Sequence, residues 1–172
     1  NSLFSSLAAL GDAQALYDAG DLYDIRNSKG EVLDRYRGGM SFFFAAAKLG
    51  HEPSARRFFS PAPNGMYELD LGGDAFWAAR LEYVKEAWPK WEKLWLEAAA
   101  KGDAAANVPL AFYYSGLRGN PADPKRAQEH ASRLPADLPE RQRNIVKGGS
   151  ALAEVREKEE WAHTVFVKFG TT

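Results

Sequence analysis

The chain has 172 residues, of which 45% are hydrophobic and 26% are charged, and this suits a globular domain with its own core. Its net charge of −1 gives no bulk field that would attract nucleic acid or an anionic membrane. The absence of cysteine excludes disulfide bonds, thiolate zinc sites and thiol nucleophiles. No stretch of about 18 apolar residues is present, so no membrane span is predicted.

A short peptide of alanines around a glycine recurs along the chain. Residues 8–15 read AALGDAQA, residues 99–106 read AAKGDAAA, and a looser copy at residues 46–55 reads AAKLGHEPSA. In each copy we expect one helix to end at the glycine and another to start directly after it. Repeated helix-turn-helix units of this kind predict an α-solenoid, in which each unit packs on its neighbours.

Three helices are predicted between Asp12 and residue 60, and a helical segment is expected before them at residues 2–10. Small and apolar side chains recur every three or four positions between Asp12 and Tyr23, which indicates one helical face. A turn is expected at residues 27–30, followed by a second helix from about Asp34 to Gly50. Residues 52–59 are predicted to form the first helix of the next repeat.

The pattern changes at residues 60–73, which are rich in proline and glycine, and we expect an ordered insertion loop there. Asp74 is expected to cap a helix over residues 75–87. Pro89 disfavours helical geometry at Trp88, so a kink or break is predicted before a further helix over residues 90–101.

The C-terminal third is also predicted to be helical. A helix opening at Asp103 is expected to bend at Pro109, which we place in its middle. Asp123 and Pro124 are predicted as the N-cap and first residue of a short helix that extends to Leu134. A terminal capping helix is expected over about residues 140–169, and the glycine pair at residues 148–149 is interpreted as a helix break.

This arrangement resembles the Sel1-like repeat, a helix-turn-helix unit related to the tetratricopeptide repeat. The second-helix ending matches at residues 46–50, and another first helix matches at residues 104–113. The remaining matches are Ala13, Ala15, Leu16, Tyr17, Gly20 and Tyr23 in the first unit, and Gly116, Gly119, Asp123 and Ala127 in the last. Ala19, in place of the usual leucine, and Pro109 depart from the pattern. The alanine-pair landmarks begin at residues 8, 46 and 99, and the second gap is longer than the first by about the length of the 60–73 insertion.

The resemblance implies an all-α fold. It would be a single domain over residues 1–172, a right-handed α-solenoid with an insertion at 60–73 and a C-terminal capping helix at about 140–169. Sel1-like proteins act as adaptors, and some in bacteria look like immunity proteins encoded beside secreted toxins, including type VI secretion effectors. The resemblance therefore implies a non-enzymatic protein-binding module without a cofactor, whose partner is a cognate toxin.

Two other functions remain open at this point. One is an adaptor or scaffold in bacterial signalling or envelope assembly, and the other is a glycan or cell-wall hydrolase. Because the chain begins at Asn1, we expect that an upstream segment was removed. For an immunity protein this favours the periplasm over the cytoplasm.

No group of residues predicts a metal or nucleotide site. His51, His130 and His163 are isolated, whereas zinc needs three or four converging ligands. Residues 147–150 read KGGS, which lacks the first glycine and the Gly-Lys-Ser order of a phosphate-binding loop.

Aromatic side chains are the main candidates for a binding surface. The tryptophans of residues 88–95 are three and four positions apart, and residues 42–44 and 112–114 are runs of three aromatics. Packing between helices is one interpretation; a binding surface is the other, because tryptophan, tyrosine and arginine dominate interface energies. The candidate protein-binding residues are Tyr67, Trp77, Trp88, Trp91, Trp95, Tyr113, Tyr114 and Arg118.

Overall fold

A computed structural model describes residues 6, 10–23, 36–61 and 77–152 of the chain. The regular structure in these ranges is helical, with no strand, so the predicted all-α class is confirmed. The sequence predicts a single domain over residues 1–172. In the structure the chain instead groups into two compact units, Asn1–Gly73 and Asp74–Thr172. Their boundary coincides with the end of the predicted insertion. Within the described ranges, no helix has the length and apolar character needed to cross a membrane.

Besides the helical residues 6 and 10, the described part of the first unit contains three helices: α1 (Ala13–Tyr23), α2 (Tyr36–Lys48) and α3 (Glu52–Phe59). Asp12 caps α1, because its Oδ1 accepts a hydrogen bond from the backbone N–H of Ala15 at 3.0 Å. Helix α1 packs against α2, and α2 packs against α3. The bounds of α3 are those predicted, and the predicted helices over residues 12–23 and up to Gly50 are confirmed where the chain is described.

Close contact between α1 and α2 depends on a glycine. A Cβ atom on Gly20 would lie 2.7 Å from Cε1 of the buried Phe43 ring and 3.1 Å from the carbonyl oxygen of Gly39. Beside this crossing, α1 buries Leu16 and Ala19 against residues of α2. The glycine that matches the repeat pattern is therefore needed for packing.

The glycine landmarks share one backbone geometry. Gly11, Gly50 and Gly102 have φ values of 65°, 86° and 98°, in the left-handed region that favours glycine. After α2, Gly50 N–H donates to the carbonyl of Ala47 and His51 N–H donates to that of Ala46.

The turn at Gly102 repeats these two bonds at the same offsets. Gly102 N–H donates to the carbonyl of Ala99, and Asp103 N–H donates to that of Ala98. Both turns are Schellman motifs, and in each the next helix begins directly after the turn.

The second unit begins its described part at residue 77. It contains α4 (Leu81–Ala100), a 3-10 helix (Ala104–Ala106), α5 (Asn107–Tyr114), α6 (Pro124–Ala131) and the helical residues 140–152, which we call α7. Helix α5 packs against α4 and α6. Val146 of α7 joins the buried cluster formed by Val108, Ala111 and Phe112 of α5 and Ala131 of α6.

A kink or break is predicted at Trp88 and Pro89, and the break is wrong. Helix α4 continues through Pro89, and the predicted separate helices are one element that begins at Leu81. An interior proline costs about 3 kcal/mol. The buried residues Val84, Trp88, Trp91 and Trp95 lie on one helical face that spans the proline. Burial of several such side chains, at about 1.5–3 kcal/mol each, outweighs the cost of the proline.

The position given to Pro109 is also wrong. It is the third residue of α5, not its middle, because a 3-10 turn precedes the helix. The first four N–H groups of an α-helix lack intrahelical acceptors, so a proline there removes no helical hydrogen bond. The predicted cap of α6 is confirmed: Asp123 Oδ1 accepts from the backbone N–H of Arg126 at 3.1 Å, and Pro124 is the first residue.

The helix break interpreted at the glycine pair of residues 148–149 is wrong as well. Both glycines are helical, within α7. A Cβ on Gly149 would lie 2.5 Å from Cδ1 of Leu117, so the glycine allows α7 to approach the segment after α5. Close packing therefore explains this glycine. The predicted capping helix beyond residue 152 and the predicted insertion after residue 61 lie outside the described residues.

Candidate protein-binding site

The candidate binding residues of the second unit are mostly buried. The fractional exposure of Trp77, Trp91 and Trp95 is 2% or less, and Trp88 and Tyr114 are also buried. Tyr113 and Arg118 are half-buried. Tyr67 lies outside the described residues. This burial favours the core-packing interpretation for the tryptophans, while Tyr113 and Arg118 remain accessible in part.

The aromatic side chains of α4 and α5 form one stacked cluster. The rings of Trp88 and Tyr113 are parallel within 7°, with centroids 3.6 Å apart. Trp91 stacks on Trp95 at 5.7 Å, and Trp88 meets Trp95 edge to face at 6.0 Å. The spacing of three and four residues along α4 places these indoles on one face, and α5 supplies the tyrosine. This cluster fixes α5 against α4.

The Glu92 carboxylate lies at the edge of this aromatic cluster. Its Oε2 accepts a hydrogen bond from Tyr114 OH at 2.6 Å and another from Trp88 Nε1 at 2.9 Å. Arg126 Nη1 lies 3.4 Å from Tyr114 OH and 3.9 Å from Glu92 Oε2. One carboxylate therefore links α4, α5 and α6.

The environment of the two tyrosines raises the pKa of both phenols. Burial is the largest cause for Tyr114, and the hydrogen bond and charge of Glu92 add to it. Burial followed by the charge of Glu92 raises the pKa of Tyr113. A phenolate here would face a carboxylate, so both phenols stay protonated and Tyr114 remains a donor.

Arg118 packs between two aromatic rings. Its guanidinium carbon lies 3.5 Å from the ring centroid of Trp77 and 4.4 Å from that of Phe112. The segment that carries it is bounded by Gly116 and Gly119, with φ values of 69° and 86°. This geometry is a cation–π contact that holds the segment after α5 against the core.

Sequence reasoning missed the polar residues of this site. Glu92 and Asn107 were not among the candidates, although Glu92 lies one helical turn after Trp88. His130 is buried, and its Nδ1 lies 2.9 Å from Asn107 Oδ1. Only the packing of α4, α5 and α6 brings these residues together.

The accessible part of the site is a polar rim formed by Glu92, Tyr113, Asp123 and Arg126. The Glu92 side chain is 27% exposed, and the side chains of Asp123 and Arg126 are about half exposed. Arg126 Nε lies 3.6 Å from Asp123 Oδ2. The rim thus offers charged hydrogen-bonding groups beside an aromatic base, which is the composition of many protein interfaces.

The described part of the chain contains no group of three or more histidine, aspartate or glutamate side chains placed to hold a metal ion. His51 contacts Ser54 Oγ at 2.7 Å and Gln14 Oε1 at 3.1 Å. An open cavity of about 230 Å³ lies between α6 and α7, and none of its lining residues is acidic.

Comparison of the chain with models of known protein families, with curated proteins and with solved structures found no match.

Proposed function

We propose that this chain is a non-enzymatic protein-binding module built as an α-solenoid of Sel1-like helix pairs. Its most specific form is an immunity protein that binds and neutralises a secreted bacterial toxin.

The observation that carries the proposal is the recurrence of one turn geometry at the repeat landmarks. Gly50 and Gly102 terminate their helices with the same two backbone hydrogen bonds, and Gly11 shares their positive φ. Each turn is followed directly by a further helix, as helix-turn-helix repeats require. The three repeat landmarks therefore share a left-handed backbone geometry as well as a glycine.

The packing of α5 narrows the choice of binding surface in the second unit. Every residue of α5 except Tyr113 is buried, so this helix has no other accessible side chain for a partner. The polar rim is the surface that we propose for binding, because its Glu92 and Arg126 contact the rigid aromatic cluster at Tyr114.

Co-expression tests the function directly. The chain is expected to co-purify with the product of the neighbouring gene and to restore growth of cells that express that product. An adaptor would co-purify without protecting the cells. Absence of a stable complex at micromolar concentration would contradict both functions.

A matched pair of charge reversals tests the surface. Arg126→Glu is expected to weaken the complex at least about 10-fold, because it places a third negative charge beside Glu92 and Asp123. Lys125→Glu makes the same change in charge at the exposed preceding position, and it is expected to have little effect. Equal effects of the two substitutions would place the binding surface elsewhere.

A further inference from the structure

The contact between the start of α5 and the end of α6 determines which ring nitrogen of the buried His130 carries the proton. Asn107 Nδ2 donates to the carbonyl of Ala104 at 3.1 Å and to that of Arg133 at 3.2 Å. Both amide hydrogens are thus used by acceptors that cannot donate, which leaves Asn107 Oδ1 facing His130 Nδ1 at 2.9 Å. The amide oxygen is an acceptor, so the proton of the neutral imidazole must be on Nδ1.

A second proton on this imidazole must go to Nε2 and would create a cation at a site with little water. His130 is 6% exposed, and its ring stacks on Tyr114 with centroids 5.7 Å apart. The tyrosine ring offers a π face to a cation, but this replaces only part of the lost hydration.

The charged groups near His130 do not provide a free counterion. On α6 and the residues after it, Glu129 pairs with Arg133 at 3.5 Å, and Arg126 adds a second positive charge. On α4, Glu92 already accepts two hydrogen bonds. Burial is the largest of the effects on the pKa of His130 and lowers it below its usual 6.5. The positive charges of Arg133 and Arg126 lower this pKa further, whereas the negative charges of Glu129 and Glu92 raise it.

We propose that the packing of α6 against α5 around His130 and Asn107 is acid-sensitive. The second proton leaves the Nδ1–H···Oδ1 hydrogen bond in place, and α6 separates from α5 because the buried imidazolium regains its hydration only in the open state. This inference does not rest on the proposed toxin binding, because it is argued from packing contacts alone. The unfolded chain takes up this proton near pH 6.5, and the folded chain takes it up at lower pH. The stability from this contact is therefore present above pH 6.5 and is lost as the pH falls toward the folded pKa.

Nitrogen NMR of the wild-type imidazole tests the geometric part. At about pH 7.5 we expect the Nδ1–H tautomer for His130, and on acidification a protonation midpoint below 6.5. The Nε2–H tautomer, or a midpoint at or above 6.5, would overturn the proposal. This measurement requires no variant to fold.

Hydrogen–deuterium exchange of the full chain tests the opening. The opening constant of α5 and α6 is obtained after correction for the intrinsic pH dependence of amide exchange. As the pH falls from about 6.5 to the folded pKa, this constant is expected to rise by up to about tenfold per pH unit. Peptides from α1 and α2 serve as the internal reference.

The His130→Asn variant keeps an N–H donor at the δ position but cannot titrate, so its α5 and α6 peptides are expected to show no such rise. An equal rise in this variant, or none in the wild type, would contradict the proposal. If the variant does not fold, the wild-type exchange and the tautomer still decide.

Discussion

The adjacent glycines of α7 allow a test of helix packing with an internal control. In Gly148→Ala the new Cβ meets no atom within 4 Å, whereas in Gly149→Ala it would lie 3.1 Å from Cγ of Leu117 and 3.2 Å from Cβ of Ser115. Ordinary contacts between carbon atoms are about 3.5–4.0 Å. Both positions are helical, so both variants gain the same helix propensity, about 0.5–1 kcal/mol.

The steric cost applies to only one of the two variants. Overpacking of this kind costs about 1–3 kcal/mol, since Ser115 is buried and Leu117 can move only in part. We therefore expect Gly148→Ala to raise the free energy of unfolding by about 0.5–1 kcal/mol. Gly149→Ala should lie about 1–3 kcal/mol below Gly148→Ala, which for a chain of this size is a difference in Tm of a few degrees or more.

Tryptophan fluorescence during urea unfolding is the appropriate assay. All 5 tryptophans follow residue 73, so the signal reports the second unit alone. Equal stabilisation by the two substitutions would refute the close approach of α7 to Leu117. Destabilisation by both would instead support the helix break that the sequence indicates at these glycines.

Substitutions at three further contacts are tested by urea unfolding. Gly102→Ala should cost about 1–2 kcal/mol because of its φ of 98°, and Gly102→Asn should cost less; equal values would contradict the turn geometry. Gly20→Ala, followed by circular dichroism, should cost about 1–3 kcal/mol, and Phe43→Leu should reduce that cost in a double-mutant cycle; additivity would exclude the clash. Tyr114→Phe removes a hydrogen bond to the Glu92 carboxylate and should cost about 1.5–3 kcal/mol, whereas an unchanged midpoint would show that this bond contributes nothing.

Local sequence signals predicted some of the helix ends correctly. The glycine at position 50 and the Asp123–Pro124 pair act through backbone conformation and capping, which depend on a few neighbouring residues. These signals gave the bounds of α3 and the start of α6. The all-α class follows from the same local signals.

The errors occurred where packing overrides a local rule. Pro89 and Gly149 both resemble helix breakers, but the first lies opposite a continuous buried face and the second faces Leu117 across a close contact. The candidate site shows the same limit. The tryptophan spacing predicted a shared face but not its burial, and Glu92 gains its role only when α5 and α6 pack beside α4.

Binding to a toxin is the central proposal, and one titration tests it most directly. The purified chain is titrated by calorimetry into the purified product of the neighbouring gene, with the Arg126→Glu and Lys125→Glu variants measured in parallel. We expect a saturable complex with a nanomolar Kd, loss of toxic activity at the same stoichiometry, and weakening by Arg126→Glu alone. No heat of binding at micromolar concentration, together with unchanged toxicity, would contradict it.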